Sequence, residues 1–248
     1  MKAGVTASVV LSIALMLATQ TDAAEYSAAG FDRMLKSHVR NGQVDYPAFA
    51  KSKEFKAYVK SLAGVQTGGL GSQADQLAFW INAYNALAIQ AVLDGLSPAG
   101  WIGKYRFFYG AKFRVGGMQT NLYDLEHKII LPFGEPRVHF ALVCASASCP
   151  KLRGEAYEGD RLDPQLDEQA VAFINDPTRN RVDGDSKTLY LSKIFDWFAD
   201  DFKAAGGSLP GYIAWYVKSP ELKQDLETSE YEVEYLDYDW SLNGPKSD

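Results

Sequence analysis

Apolar residues recur at helical spacing along most of the chain, and the longest such pattern runs from Gln73 to Leu93. Its apolar positions continue almost all the way round the helix axis, which predicts a helix in the middle of a domain. Asn82 and Asn85 lie within this segment. Because a buried amide without partners costs about 1–3 kcal/mol, we expect both side chains to be hydrogen-bonded.

Shorter amphipathic patterns predict further helices on both sides of this segment. They cover residues 26–39, 51–62, 122–131, 163–175 and 212–217. Ser192 precedes another apolar-periodic segment, KIFDWFADDF, in the position of a helix N-cap. The aromatic tail YLDYDWSLN is expected to pack back on the core, with the lining of a binding groove as the alternative.

Extended segments are fewer and shorter. Residues 105–115 alternate in polarity and, with Gly116 and Gly117 at the turn, predict a hairpin or bulged strand. The apolar run at residues 138–143 predicts a buried strand, and residues 188–191 predict another. Helices and a modest sheet that do not alternate regularly predict an α+β fold. We expect a single domain with a central buried helix packed on a small antiparallel sheet.

The N-terminus has the organisation of a secretory signal peptide. Lys2 is followed by an apolar run at residues 5–18, and small residues then allow cleavage after Ala23. An uncleaved membrane anchor is the alternative. The pattern predicts a signal peptide at residues 1–23 and a domain at residues 24–248. It also predicts a periplasmic or secreted protein without stable membrane insertion after cleavage.

Composition and charge limit the classes of partner. The chain has 248 residues, of which 47% are hydrophobic, so it can bury a sizeable core. Its net charge of −6 argues against nucleic acid and anionic membrane surfaces, which need a basic footprint. No CxxC or HxxxH spacing and no glycine-rich phosphate loop occurs, so we predict neither a metal nor a cofactor.

Both cysteines lie in the segment RVHFALVCASASCPKL, together with His139. In an oxidising compartment an even number of cysteines favours a disulfide, and Cys144 can reach Cys149 if the loop turns back. Alternatively, one of them is a thiolate nucleophile activated by an imidazole. Both interpretations stay open at this point.

A strand at residues 138–143 would restrict which histidine can serve which cysteine. His139 and Cys144 would lie about 16 Å apart on opposite faces. Cys149 is therefore the better partner for His139, and His127 is the better base for Cys144. Glu126 falls on or beside the inward face of the helix at residues 122–131, where a carboxylate can orient a histidine such as His139.

Several segments resemble the bacterial and plant proteins that share the domain of unknown function 547 (DUF547). They are AFWINAYNAL, LYDLEHKIIL, VHFALVCASASCPKL, LDEQAVAFIND, LSKIFDWFADDF and YLDYDWSLN, in this order. The resemblance implies a fold related to papain-like or transglutaminase-like cysteine enzymes, with a Cys/His/Glu site. The family's characteristic positions fall on Asn82, Asn85, Glu126, His127, His139, Cys144 and Cys149. Unlike in papain-type enzymes, the central helix here carries no cysteine.

Two functions follow as hypotheses. The first is a thiol-dependent hydrolase or acyl transferase acting on peptide or thiol substrates. Its nucleophile would be Cys144 or Cys149, its base His127 or His139, and its orienting carboxylate Glu126. Substrate would contact Trp80, Asn82 and Asn85, with Asn82 donating to substrate or oxyanion. The second is a non-enzymatic binding module of the cell envelope, with a Cys144–Cys149 disulfide, a structural His/Glu/Asn network and an unidentified small-molecule or peptide ligand.

Overall fold

The structure, a computed structural model, describes residues 26–244, so the predicted signal peptide lies outside the described residues. The helices are α1 (Ala29–His38), α2 (Tyr46–Lys51), α3 (Lys53–Ser61), α4 (Gln73–Leu93), α5 (Gly100–Lys104), α6 (Leu122–Asp124), α7 (Leu162–Ile174), α8 (Ile194–Trp197), α9 (Ala199–Gly206), α10 (Leu209–Ala214) and α11 (Pro220–Thr228). The strands are β1 (Val39–Arg40), β2 (Gln43–Val44), β3 (Phe113–Val115), β4 (Met118–Thr120), β5 (Arg181–Asp183), β6 (Thr188–Leu191) and β7 (Glu232–Tyr235). Within residues 26–244, no helix is long and apolar enough to cross a bilayer.

Helix α4 lies at the centre of the larger of two hydrophobic cores, as its pattern predicted. Ser72 and Asp75 cap it reciprocally: each side chain accepts a hydrogen bond from the other's backbone N–H, at 3.1 and 2.9 Å. Every residue from 77 to 89 is buried. A helix that is apolar on all sides needs apolar neighbours on all sides, and α2, α3, α6 and α7 pack around it.

The prediction that α4 packs on one small antiparallel sheet is wrong. The described strands form three separate sheets: the antiparallel pairs β1–β2 and β3–β4, and a three-stranded sheet ordered β5–β6–β7. Strands β6 and β7 are parallel. Leu189 and Leu191 of β6 belong to a second core, built around Phe140, Phe195 and Phe202. Helices and small sheets that do not alternate regularly along the chain make this an α+β fold.

Several predicted elements are confirmed, among them the strand β6, the helices α1, α3 and α7, and the hairpin β3–β4. Gly116 and Gly117 form its turn with positive φ angles of 57° and 77°, which glycine adopts most readily. The predicted strand at residues 138–143 is wrong. Pro136–Phe140 is a 3₁₀ helix, because Pro136 suits the first position of a helical turn. An apolar run of this length does not by itself distinguish a strand from a buried helical turn.

Two further segments are π-helices, Tyr105–Gly110 and Leu125–Ile130. The sequence pattern predicts extended structure for the first segment and an ordinary helix for the second. Such wide turns are rare and occur frequently at functional sites. Each continues directly from a short α-helix, α5 or α6, and Tyr109 of the first π-helix stacks on Tyr123 of α6 at 4.5 Å between centroids.

Candidate functional site

A cavity of about 470 Å³ lies where the two π-helices meet the segment around Cys144 and the C-terminal tail. Its volume falls within the range usual for small-molecule sites. Aromatic side chains make much of its wall, among them Tyr109, Tyr123, Trp197, Phe198, Tyr238 and Trp240. The polar side chains that line it are Lys104, Glu126, His127 and His139, and Cys144 and Cys149 also contribute. The cavity therefore brings together all five residues that the sequence predicted as catalytic.

The π-helical turn explains how two adjacent polar residues face the same cavity. Glu126 and His127 are consecutive, and in an α-helix their side chains would diverge by about 100°. The i→i+5 turn of Leu125–Ile130 contains more residues per turn, so consecutive side chains diverge by a smaller angle. Both side chains line the cavity wall.

Glu126 is a carboxyl group that has no cationic partner among residues 26–244. The Tyr84 hydroxyl donates a hydrogen bond to its Oε2 at 3.2 Å, and in the described part of the chain no ion pair involves it. Burial raises the pKa of Glu126 to about 7. The group therefore changes its charge near neutral pH.

The hydrogen bonding of His127 defines its tautomer. Its Nδ1 lies 3.1 Å from the carbonyl oxygen of Tyr123. A carbonyl only accepts, so Nδ1 carries the proton and Nε2 keeps its lone pair. The imidazole stacks on the Tyr123 ring at 4.0 Å between centroids, and burial lowers the pKa of His127. We infer a neutral imidazole at neutral pH.

His139 is the more deeply buried imidazole, with its side chain only 1% exposed. Its Nε2 donates to Asp201 Oδ2 at 2.8 Å, and its ring stacks on Phe198 at 3.8 Å. Burial lowers the pKa of His139 to about 4, even though Asp201 acts in the opposite direction. The sequence suggested Glu126 as the carboxylate that orients His139. In the structure this carboxylate is Asp201. Asp201 lies 62 residues away, and no local pattern connects it with His139.

Cys144 and Cys149 are joined by a disulfide across a separation of five residues. Among the described residues, no hydrogen bond connects either sulfur to an imidazole, so neither predicted Cys–His pair is formed in this state. The Cys149 sulfur instead accepts from the Cys144 N–H at 2.9 Å and from the Tyr238 hydroxyl at 3.3 Å. The disulfide thus forms part of the cavity wall.

The C-terminal tail fixes the loop that contains the disulfide. The Ala147 and Ser148 N–H groups donate to the carbonyl oxygens of Ser241 and Asp239, at 2.6 and 3.1 Å. The Asn243 N–H donates to the carbonyl of Ala145, at 3.0 Å. The tail therefore packs back on the domain, and it also supplies Tyr238 and Trp240 to the cavity.

The residues predicted to bind substrate on α4 lie away from this cavity. The Asn82 amide exchanges two hydrogen bonds with the backbone of Tyr157, at 2.8 and 2.9 Å. Asn85 donates to the carbonyl of Ala141 and accepts from the N–H of Val143, both at 2.9 Å. Trp80 is buried in the core. In the structure the two amides therefore hydrogen-bond buried backbone groups of residues 141, 143 and 157.

Sequence reasoning did not include Lys104 or Tyr84 among the site residues. The Lys104 ammonium lies 3.8 Å from the centroid of the Trp240 ring, a cation–π contact. The feature of the sequence that could have identified Lys104 is its position between aromatic residues. In the described part of the chain, no group of three or more His, Cys, Asp and Glu side chains is arranged to hold a metal ion.

Comparison with known proteins gives one result. No curated protein and no solved structure matches the chain. The family model described as "Protein of unknown function, DUF547" matches residues 70–174. The matched segment contains α4, Glu126, both cavity histidines and both cysteines, whereas Asp201 and the aromatic tail lie beyond it. This match over residues 70–174 agrees with the DUF547 resemblance that the sequence motifs predicted.

Proposed function

We propose that the protein is a binding module that holds a small organic cation in the aromatic cavity. The observation that carries this proposal is the Glu126 carboxyl, which lines a cavity of aromatic rings and forms no ion pair with any described residue. A bound cation would supply the missing partner and offset the cost of ionising a partly buried carboxyl.

The aromatic wall supports the same class of ligand. The rings of Trp197, Tyr238 and Trp240 lie within 4.6 to 5.6 Å of each other, measured between centroids. The face of an aromatic ring attracts a cation, and a desolvated contact contributes about 2 kcal/mol. Lys104 already uses the Trp240 ring in this way.

Apart from Lys104, the remaining groups that line the cavity carry no charge at neutral pH. The pKa values of His127 and His139 are lowered by burial, so both imidazoles are neutral at pH 7. The disulfide carries no charge. Lys104 is the one ammonium group lining the cavity among the described residues, and it forms no ion pair with Glu126. Above pH 7 the Glu126 carboxylate is therefore the one anionic group lining the cavity that has no ion-pair partner among the described residues, while the Lys104 ammonium lies on the Trp240 ring.

Choline and 3,3-dimethyl-1-butanol test this proposal, because they have the same shape and differ in charge. At pH 8 we expect choline to bind at least about tenfold more tightly than the alcohol, as a cation–π site requires. Its affinity should fall as the pH drops below 7, when Glu126 is protonated. Isothermal titration calorimetry measures both ligands at pH 6 and pH 8.

Glu126→Gln should weaken choline binding at pH 8 to about the affinity that the unmodified chain shows at pH 6, because the carboxylate is lost and the aromatic rings remain, and it should leave binding of the neutral alcohol unchanged. Glu227→Gln, which changes an exposed carboxyl on α11, is the matched control and should bind choline like the unmodified chain. Equal affinity for the two ligands in the unmodified chain, or full choline affinity in Glu126→Gln, contradicts the proposal.

A second candidate is the thiol-dependent hydrolase or acyl transferase, related to papain-like enzymes and acting on peptide or thiol substrates. It is supported by the two donors on the Cys149 sulfur, the Cys144 N–H and the Tyr238 hydroxyl. In the reduced protein these donors would stabilise a Cys149 thiolate and lower its pKa. This candidate requires free thiols in the working state.

Intact mass and alkylation distinguish the two candidates. For the thiol enzyme we expect free cysteines in the purified protein and alkylation of Cys149 by iodoacetamide below about pH 7. For the binding module we expect no alkylation without a reductant, and a mass increase of two protons after reduction. The disulfide also supports our proposal that the chain is exported to the periplasm or secreted, since disulfides persist in oxidising compartments.

A further inference from the structure

We propose that the protein docks on anionic membrane surfaces through a basic aromatic face. We define this face by the exposed aromatic, isoleucine and arginine side chains between residues 101 and 114: Trp101, Ile102, Tyr105, Arg106, Tyr109 and Arg114. It lies on α5, the π-helix Tyr105–Gly110 and β3. This inference is independent of the ligand proposed for the cavity, because it rests on side chains that point to solvent.

The aromatic part of the face is a stripe along one side of the helical segment. Trp101, Tyr105 and Tyr109 recur every four residues and are 80%, 64% and 42% exposed. The rings of Tyr105 and Tyr109 stack on each other at 5.8 Å. Ile102 is exposed beside them. Large apolar side chains that are exposed together, unlike single ones, indicate an interaction surface.

The charge of this region is opposite to that of the whole chain. Residues 95–123 contain four basic residues, Lys104, Arg106, Lys112 and Arg114, and no acidic one, in a chain of net charge −6. Among the described residues, no carboxylate forms an ion pair with any of the four. The net charge of the whole chain argues against binding to anionic membranes. This average does not reveal the local cluster of basic residues.

The combination of side chains identifies the occupant. Trp and Tyr favour the membrane–water interface, and Lys and Arg beside them attract anionic headgroups. The cations without carboxylate partners complement a negative surface. Lys104, Phe108 and Tyr109 also line the cavity, so docking would place the cavity wall at the membrane surface.

Co-sedimentation of the full chain with lipid vesicles tests the inference. We expect binding to phosphatidylcholine vesicles that contain about 30% phosphatidylglycerol, and much weaker binding to phosphatidylcholine alone. Raising NaCl from about 0.05 to about 0.5 M should weaken the binding, because salt screens surface charges. Residues 1–25 are common to all variants, so differences between variants report the described face.

Two pairs of variants locate the binding surface. Arg106→Glu with Arg114→Glu should weaken anionic-vesicle binding about 30-fold, at about fivefold per basic side chain. Lys56→Glu with Lys60→Glu makes the same change of charge on exposed positions of α3 and should have less than about a twofold effect. Thermal unfolding followed by circular dichroism should show that all variants stay folded, because the replaced side chains are exposed.

Another pair of variants tests the contribution of the aromatic side chains to vesicle binding. Trp101→Ala should weaken binding about tenfold through lost interfacial burial, whereas Trp215→Ala, exposed on another part of the molecule, should not. Equal binding to neutral and anionic vesicles, or equal losses in the control variants, overturns the inference. Binding to polyglutamate without binding to vesicles also overturns it and indicates an acidic protein partner.

Discussion

Replacing Asn85 with alanine is expected to lower the free energy of unfolding by about 3–5 kcal/mol. The side chain is buried, and its amide bonds the carbonyl of Ala141 and the N–H of Val143. Alanine would leave both backbone groups buried without a partner, at about 1–3 kcal/mol each. Urea unfolding followed by circular dichroism measures the change.

Gln90→Ala is the matched control on the same helix. Its amide bonds the exposed side chain of Asp94 at 2.7 Å, so its loss should cost less than about 0.5 kcal/mol. A loss below about 1 kcal/mol for Asn85→Ala would contradict the assigned role. Ala141 and Val143 lie within three residues of Cys144, which lines the cavity, so Asn85→Ala should also weaken ligand binding there.

Glu126 and His139 are expected to give opposite dependences of stability on pH. The pKa of Glu126 is raised to about 7 from its usual value near 4.5. Its stabilising contribution is fully present below pH 4.5 and is lost as the pH rises through 7. The pKa of His139 is lowered to about 4 from 6.5, so its contribution is lost as the pH falls from 6.5 through 4. The two effects partly offset each other in the unmodified chain.

Glu126→Gln should separate the two effects. At pH 8 we expect the variant to be more stable by about 1–3 kcal/mol, because it removes a buried charge and keeps an acceptor for the Tyr84 hydroxyl. Near pH 4.5 we expect no difference. Between pH 8 and pH 4.5 the free energy of unfolding of the variant should fall by up to about 3 kcal/mol, because the pKa of His139 is lower in the folded chain than in the unfolded chain. Urea unfolding at pH 4.5, 6 and 8 measures the free energy of unfolding, with Glu227→Gln as the control. If Glu126→Gln leaves this free energy unchanged at pH 8, the proposed burial of the Glu126 charge is refuted.

The sequence predicted the elements whose pattern is local. Helix α4 has the predicted bounds because its apolar pattern is local and continuous from Gln73 to Leu93. The residue types of the cavity were predicted too, because Cys, His and Glu carry recognisable chemistry. The π-helix Tyr105–Gly110 was read as extended, since alternation in a short aromatic segment does not reveal a wide helical turn.

The partners of the site residues could not be predicted, because they come from distant parts of the chain. Asp201 reaches His139 across 62 residues, and Tyr238 reaches Cys144 across 94. Both contacts depend on how α9 and the tail fold back, which is decided by tertiary packing. Sequence reasoning also placed the Asn85 amide in a substrate site, whereas its two hydrogen bonds to buried backbone occupy it.

We propose that the Glu126 carboxyl, which lines the cavity, pairs with the bound cation. Carboxyl ¹³C NMR of the labelled protein, titrated with and without saturating choline, tests it most directly. We predict a pKa of about 7 for Glu126 in the free protein and a decrease of at least about one unit with choline bound, since a cation favours the ionised form. A pKa near 4.5 in the free protein, or a value that choline does not change, would contradict the account.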